Sequence, residues 1–198
     1  KYNGESILKA KLVEMFVKRN VTAAFEIKVN NSRVDFLKVN GDTVSYEIKS
    51  GIDNLYKLSK QVNDYKRVFD YNYIVIDEKH YKQALKLIPE YYGIYVLEKN
   101  EINEDKKAIL NTNLDAIAQL SLFTKKELQQ SFRTSNPNIF IIREHFCRNE
   151  INKHFKEMLK NRYQKKWNFL RNNFEHILPI DYQYFFHHNV KPEIIYRY

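Results

Sequence analysis

Two carboxylates and a lysine stand at a spacing that can do chemistry: Asp35, then Glu47 and Lys49 two residues apart. On an extended strand alternate side chains share a face, so Glu47 and Lys49 project together while Tyr46 and Ile48 turn inward. Val34 and Phe36 are the core-facing pair around Asp35, which puts Asp35 on the opposite face. If the two segments are hairpin neighbours, the three polar groups converge at one end of the meander. Carboxylates aimed at a shared point repel unless a cation lies between them. Oxygen-only ligands favour Mg2+ or Mn2+ over zinc. A metal so held activates water and stabilises charge developing on a phosphate. The lysine beside it orients the nucleophile or neutralises the phosphate.

The elements that must position these groups are legible in the first half of the chain. Ile7, Leu8, Leu12, Met15 and Phe16 recur at helical spacing and predict a helix over 5–19. Three strands are predicted over 24–29, 33–39 and 44–49, joined by the turn-type segments Asn30-Asn31-Ser32 and Asn40-Gly41-Asp42. A helix over 54–69 follows, with Leu55, Leu58, Val62, Tyr65 and Phe69 on one stripe and Asp53 as its N-cap. A buried strand over 71–77, a helix over 78–87 and a strand over 94–98 complete the order α-β-β-β-α-β-α-β. Strand–helix–strand spacing of this kind implies parallel crossovers.

Asp35, an 11-residue gap and then Glu47-Ile48-Lys49 resembles the active-site motif of the PD-(D/E)XK nuclease superfamily. The order of elements resembles that superfamily's restriction-endonuclease-like core, an α/β fold. Gln61-Val62-Asn63-Asp64-Tyr65 is similar to the Q-x-x-x-Y motif of its RecB-like branch. The stretch from Tyr46 to Asp70 is similar to a small bacterial and phage family within the superfamily. Val34 stands where the superfamily's name has proline. The resemblance implies metal-dependent phosphodiester hydrolysis, most simply of DNA. It implies Asp35 and Glu47 as Mg2+ (or Mn2+) ligands with the Ile48 backbone carbonyl, and Lys49 as the catalytic lysine. Glu5 sits where many members place a further metal-binding carboxylate, and Gln61 and Tyr65 lie where the branch keeps residues near the site. Many folds of this kind work as dimers, so a homodimer is among the arrangements implied.

Each residue has a plainer reading beside this one. E-x-K on a strand is often a surface ion pair contributing ~0–1 kcal/mol. A first-turn glutamate such as Glu5 is favoured by the helix dipole alone. Glu26 shares its strand with Lys28 and either joins or replaces Glu5 or lies on a solvated face. Gln61 also fits an exposed helix position, Tyr65 the core, and Ser50 a turn.

The rest of the chain bounds the function. The formal net charge is +9, unevenly spread: +3 over 1–98, −1 over 99–119 and +7 over 120–198. That divides the chain into a nuclease-like core over 1–98 and a basic, aromatic-rich, mainly helical extension over 99–198 packed on it, suited to a polyanion. Residues 99–135 read as partly polar helix, Asn136-Pro137-Asn138 breaks the chain, and a long basic helix is predicted over 144–177. Its aromatics, among them Phe155, Tyr163 and Trp167, read as core contacts, and its lysines and arginines as a wet face or phosphate contacts. The tail around Tyr182 to His188 is aromatic and irregular. The six histidines form no zinc pattern, and there is no G-x-x-x-x-G-K-(S/T) loop for ATP. The single cysteine, Cys147, on the predicted basic helix, makes no internal disulfide. The longest apolar run is four residues, against ~20 for a membrane helix. The expectation is a cytoplasmic, DNA-directed enzyme with no membrane span; the alternative is an inactive nucleic-acid-binding or accessory subunit on the same fold.

Overall fold

A computed structural model describes residues 4–99 and 101–186. Helix α1 (Glu5–Val17) leads into three antiparallel strands, β1 (Thr22–Val29), β2 (Ser32–Asn40) and β3 (Asp42–Lys49). The hairpins turn where left-handed backbone is cheap: Asn30 has φ 52° and Gly41 has φ 75°. Helix α2 (Leu58–Tyr65) then crosses to β4 (Tyr71–Asp77). A 3-10 turn, Glu78–His80, and the short α3 (Tyr81–Ala84) precede β5 (Gly93–Glu98). The sheet is mixed and runs in sequence order through six strands, with β3–β4 and β4–β5 parallel.

The helical reading of 99–135 and the cap at Asp53 need correcting. The helical reading of 99–135 misses β6 (Glu101–Lys106), which pairs antiparallel with β5 at the sheet's edge. Most of its residues are exposed, so no apolar alternation marks it; backbone pairing forms the strand, and Tyr73 and Tyr81 donate to its Glu104 and Asp105 at 2.7 and 2.6 Å. Asp53 does not cap α2, which starts at Leu58 after Lys57. Its carboxylate instead accepts from the Ser50 amide and hydroxyl at 2.7 and 2.6 Å, tying down the turn that leaves β3.

The second half is helical: α4 (Ala116–Leu120), α5 (Lys125–Phe132), α6 (Ile139–His145), α7 (Arg148–Asn172) and a 3-10 segment, Pro179–Phe185. The single helix predicted over 144–177 is the end of α6, then α7, then a 3-10 turn, Phe174–His176. The chain turns extended at Phe146 and Cys147, and the Glu150 carboxylate accepts from the Cys147 amide at 2.8 Å, starting α7 there. Cys147 is therefore an exposed N-cap, not a helix-interior residue. His187 and His188 lie outside the described residues.

Packing follows the alternation. Phe25, Phe36, Tyr46 and Tyr73 stand abreast on β1 to β4 with centroids 5.0, 5.7 and 5.4 Å apart in turn. Phe16 of α1 and Trp167 of α7 cover this face, 5.8 and 6.2 Å from Phe36. The other face carries Ile74, Ile76, Ile94 and Val96 against Leu58 and Val62 of α2. One buried cluster runs from Leu8 to Phe186. Position 98 falls between paired strands, so residues after it supply an edge strand and one cover of the same core. Asp70 secures α7: it accepts from the Thr43 amide at 2.7 Å, from Asn152 at 3.0 Å, and pairs with Lys156 at 3.1 Å. Among the described residues, no helix is long and apolar enough to cross a membrane.

Candidate active site

The row of residues next to the aromatic one is acidic. The register Phe25↔Phe36 and Ile27↔Val34 brings Glu26 abreast of Asp35, and Phe36↔Tyr46 brings Asp35 abreast of Glu47 one step on. Glu26 and Asp35 drop out of the backbone ladder, while Glu47 stays paired with Ile74 of β4. Glu26 has φ 57°, a left-handed conformation costing about 1–3 kcal/mol in a residue with a Cβ. Beyond Phe36↔Tyr46 the β2–β3 pairing stops, and the Asp35 carboxylate takes the Ile48 amide at 2.6 Å. The sheet opens here into a cleft of about 600 Å3 lined by Glu5, Glu26, Asp35, Glu47, Lys49 and Gln61, among others. Asp35, Glu47 and Lys49 share the face opposite Phe36 and Tyr46, and α1 adds Glu5 from the side.

The carboxylates divide into two sets. Glu5, Glu26 and Asp35 each offer an oxygen lying within 4.8 Å of the others. Glu47, 2% exposed, is held by donors instead. Lys49 Nζ lies 2.6 Å from its Oε1, Gln61 Nε2 donates to the same oxygen, and the Tyr65 hydroxyl donates to Oε2 at 2.9 Å. Gln61 and Tyr65 are four residues apart on α2, so both reach the same carboxylate. Tyr65 shares its one proton with the Arg33 carbonyl at 2.7 Å, fastening α2 to β2. The Gln61 carbonyl oxygen is buried without a hydrogen-bond partner. An acceptor so placed costs ~1–3 kcal/mol until a donor arrives.

Of the residues expected around one ion, Glu5 and Asp35 come together, joined by Glu26, while Glu47 is held by Lys49, Gln61 and Tyr65. Glu26 completes the trio, Glu47 faces Lys49, and the Ile48 amide donates to Asp35. Glu26 is half-buried at the cleft and not on a solvated strand face. Lys9 was also missed. It is 2% exposed, with Nζ 2.5 Å from Glu5 and also bonded to Glu26. Two signals mark these residues: Lys9 follows Glu5 by one helical turn, and Glu26 interrupts the apolar run Ala23-Ala24-Phe25 at the level of Asp35.

Burial sets the charge states. Desolvation, then the charges of Glu47 and Glu5, push the Asp35 carboxyl well above the usual carboxylate range. Burial also raises Glu47, although Lys49 and Tyr65 pull it back. For Lys9 and Lys49 burial works the other way, but their carboxylate partners outweigh it and both ammoniums are held above the ordinary lysine value. Burial and the Glu47 charge raise Tyr65, which stays a neutral hydroxyl. The result is an acidic floor flanked by two fixed ammoniums.

The model of one protein family, described as Bacteriophage P4 protein cII, matches residues 1–185. No curated protein matches. Among solved structures, a protein of unknown function from Silicibacter pomeroyi is similar at 15% identity and a TM-score of 0.45, over 62% of this chain and 82% of that one.

Proposed function

The chain belongs to the Bacteriophage P4 protein cII family, and from its cleft we propose that it is a metal-dependent nuclease of the PD-(D/E)XK type with a restriction-endonuclease-like fold. It would hydrolyse phosphodiester bonds, most simply of DNA, in the cytoplasm. The observation that carries this reading is the acidic row Glu26–Asp35–Glu47 beside Lys49, at the point where β2 and β3 part. The ligand atoms the trio offers are carboxylate oxygens, which fit Mg2+ or Mn2+. Glu5, Glu26 and Asp35 would hold the ion, and when bound it supplies Lewis acidity and a more acidic water.

The chain's own groups supply the rest. Glu47 fixes Lys49, whose ammonium neutralises charge on a phosphate oxygen as the P–O bond breaks. Tyr65 keeps Glu47 from swinging into the trio. Incubating the protein with plasmid, single-stranded DNA and RNA, each with Mg2+, Mn2+ or EDTA, tests this. Cleavage that requires metal and is lost in Asp35→Ala and Glu47→Ala supports it.

Lys9 favours a second reading, a nucleic-acid-binding or accessory subunit without catalysis. Its ammonium already neutralises Glu5 and Glu26, as a resident ion would. Calorimetric titration separates the two, because an inactive subunit takes up no Mg2+ or Mn2+ at this trio.

A further inference from the structure

Beside the cleft, the turn between β3 and α2 carries two apolar side chains into solvent. Ile52 is 82% exposed and Tyr56 is 90% exposed, while Leu55 between them is buried. Single exposed apolar residues are ordinary, but these two sit on a built turn. Asp53 holds the Ser50 amide and hydroxyl, His80 Nε2 lies 3.1 Å from the Ser50 carbonyl, and the Leu58 amide donates to Leu55 O at 3.0 Å. The anchored ends leave the Tyr56 ring displayed, with little of the rotamer freedom of a long polar chain to lose on contact.

Its neighbours are cationic. Ile52, Asn54, Lys57 and Lys60 line the cleft, as does Arg33 of β2, and all five are exposed. Lys57 and Lys60 are three residues apart at the start of α2 and present their charges on one side. A flat ring next to Lys57 in the chain and an aliphatic branch at the cleft match a nucleobase face and its flanking phosphates. In a duplex both faces of a base are covered by its stacked neighbours, so this turn finds a free face only on an unpaired base. Groove reading would call for donors and acceptors at this position, which Ile52 lacks altogether.

We propose, resting on the nuclease reading, that the substrate is single-stranded nucleic acid. An unpaired base stacks on Tyr56 and Ile52 while Lys57 and Lys60 hold the flanking phosphates, so the strand enters the acidic cleft from this side.

The test is fluorescence anisotropy with a labelled single-stranded 12-mer of DNA, the same sequence in RNA, and the blunt DNA duplex, all in EDTA at one salt concentration. At least one single strand should bind ten-fold or more tighter than the duplex. Tyr56→Ala should weaken single-strand binding by about 5- to 100-fold and leave duplex binding unchanged, and Tyr56→Phe should keep wild-type affinity. Equal affinity for duplex and both single strands overturns the proposal. So does a Tyr56→Ala variant that binds as wild type, or one that loses both substrates equally. Binding in EDTA is independent of hydrolysis, so failed cleavage with Mg2+ counts against the nuclease reading alone.

Discussion

Lys9 bonds to the carboxylate of Glu26 across the gap between α1 and β1, and Glu26 reaches it from a left-handed backbone. A buried cation is thereby held against two carboxylates that would otherwise repel each other and Asp35. Lys9→Met should leave that repulsion uncompensated and destabilise the metal-free protein by about 3–5 kcal/mol, the range for breaking a buried pair. Divalent cation should restore much of the loss, and the variant should bind Mg2+ more tightly than wild type. Thermal melts with and without Mg2+, together with calorimetry, check this; an unchanged melting temperature in EDTA would remove Lys9 from its counterion role.

Glu47→Gln should separate chemistry from folding. Gln61, Lys49 and Tyr65 all donate to Glu47, and an amide accepts at one atom only. Cleavage should fall about 100-fold or more as Lys49 loses its anchor. Stability in EDTA should change by no more than about 1–3 kcal/mol, lost hydrogen bonds being offset by relief of a buried charge. Single-turnover rates and denaturant melts on the same preparation provide both readouts.

The raised Asp35 and Glu47 carboxyls make metal-free stability depend on pH. Their folded values lie above the unfolded ones, so the folded state holds more protons. Stability of the metal-free protein should accordingly fall as pH rises from about 4 through the folded values. Asp35→Asn should flatten that dependence. Mg2+ uptake should release protons and strengthen with pH, seen as a buffer-dependent binding enthalpy.

The basic helix α7 divides its charges between two jobs. Lys156 is tied to Asp42 and Asp70, and Arg162 to Glu127; reversing either to glutamate should destabilise the fold. Lys160 and Lys165 are exposed, and α7 packs on the sheet face opposite the cleft. Reversing these two should leave stability within about 0.5 kcal/mol. If they touch phosphate, the salt slope of nucleic-acid binding should drop by roughly one unit per contact; affinity measured at two salt concentrations reads this out.

Trp167 is fully buried against Phe36, and its indole N–H has no hydrogen-bond partner. Trp167→Ala should cost about 3–5 kcal/mol. Trp167→Phe should cost clearly less, because the smaller ring keeps the apolar contact and removes a buried donor. Denaturant midpoints of both variants give the comparison.

Much of this was legible along the chain because it depends on local period. The alternation around Asp35 and Glu47 determined which face each carboxylate takes, and Asn30 and Gly41 marked both hairpins. The spacing of Gln61 and Tyr65 put them on one helical stripe. The strand at Tyr71–Asp77 was readable to the residue, because it is buried on both faces and bounded by polar groups.

Other features depended on partners far away in sequence. Strand β6 has no apolar rhythm, since its outer edge meets solvent, and only pairing with β5 makes it a strand. Asp53 has the composition of a helix cap, but the nearer Ser50 amide takes its carboxylate. Glu26 looked solvated because alternation describes regular backbone, and its positive φ breaks the rule at that residue. Lys9 lies on a helix whose apolar positions say nothing of a buried ammonium, which is stable only because Glu5 and Glu26 meet it there. Which carboxylates gather into a trio, and which one faces lysine, is set by where the β2–β3 ladder ends, and that follows from three-dimensional packing rather than from residue order.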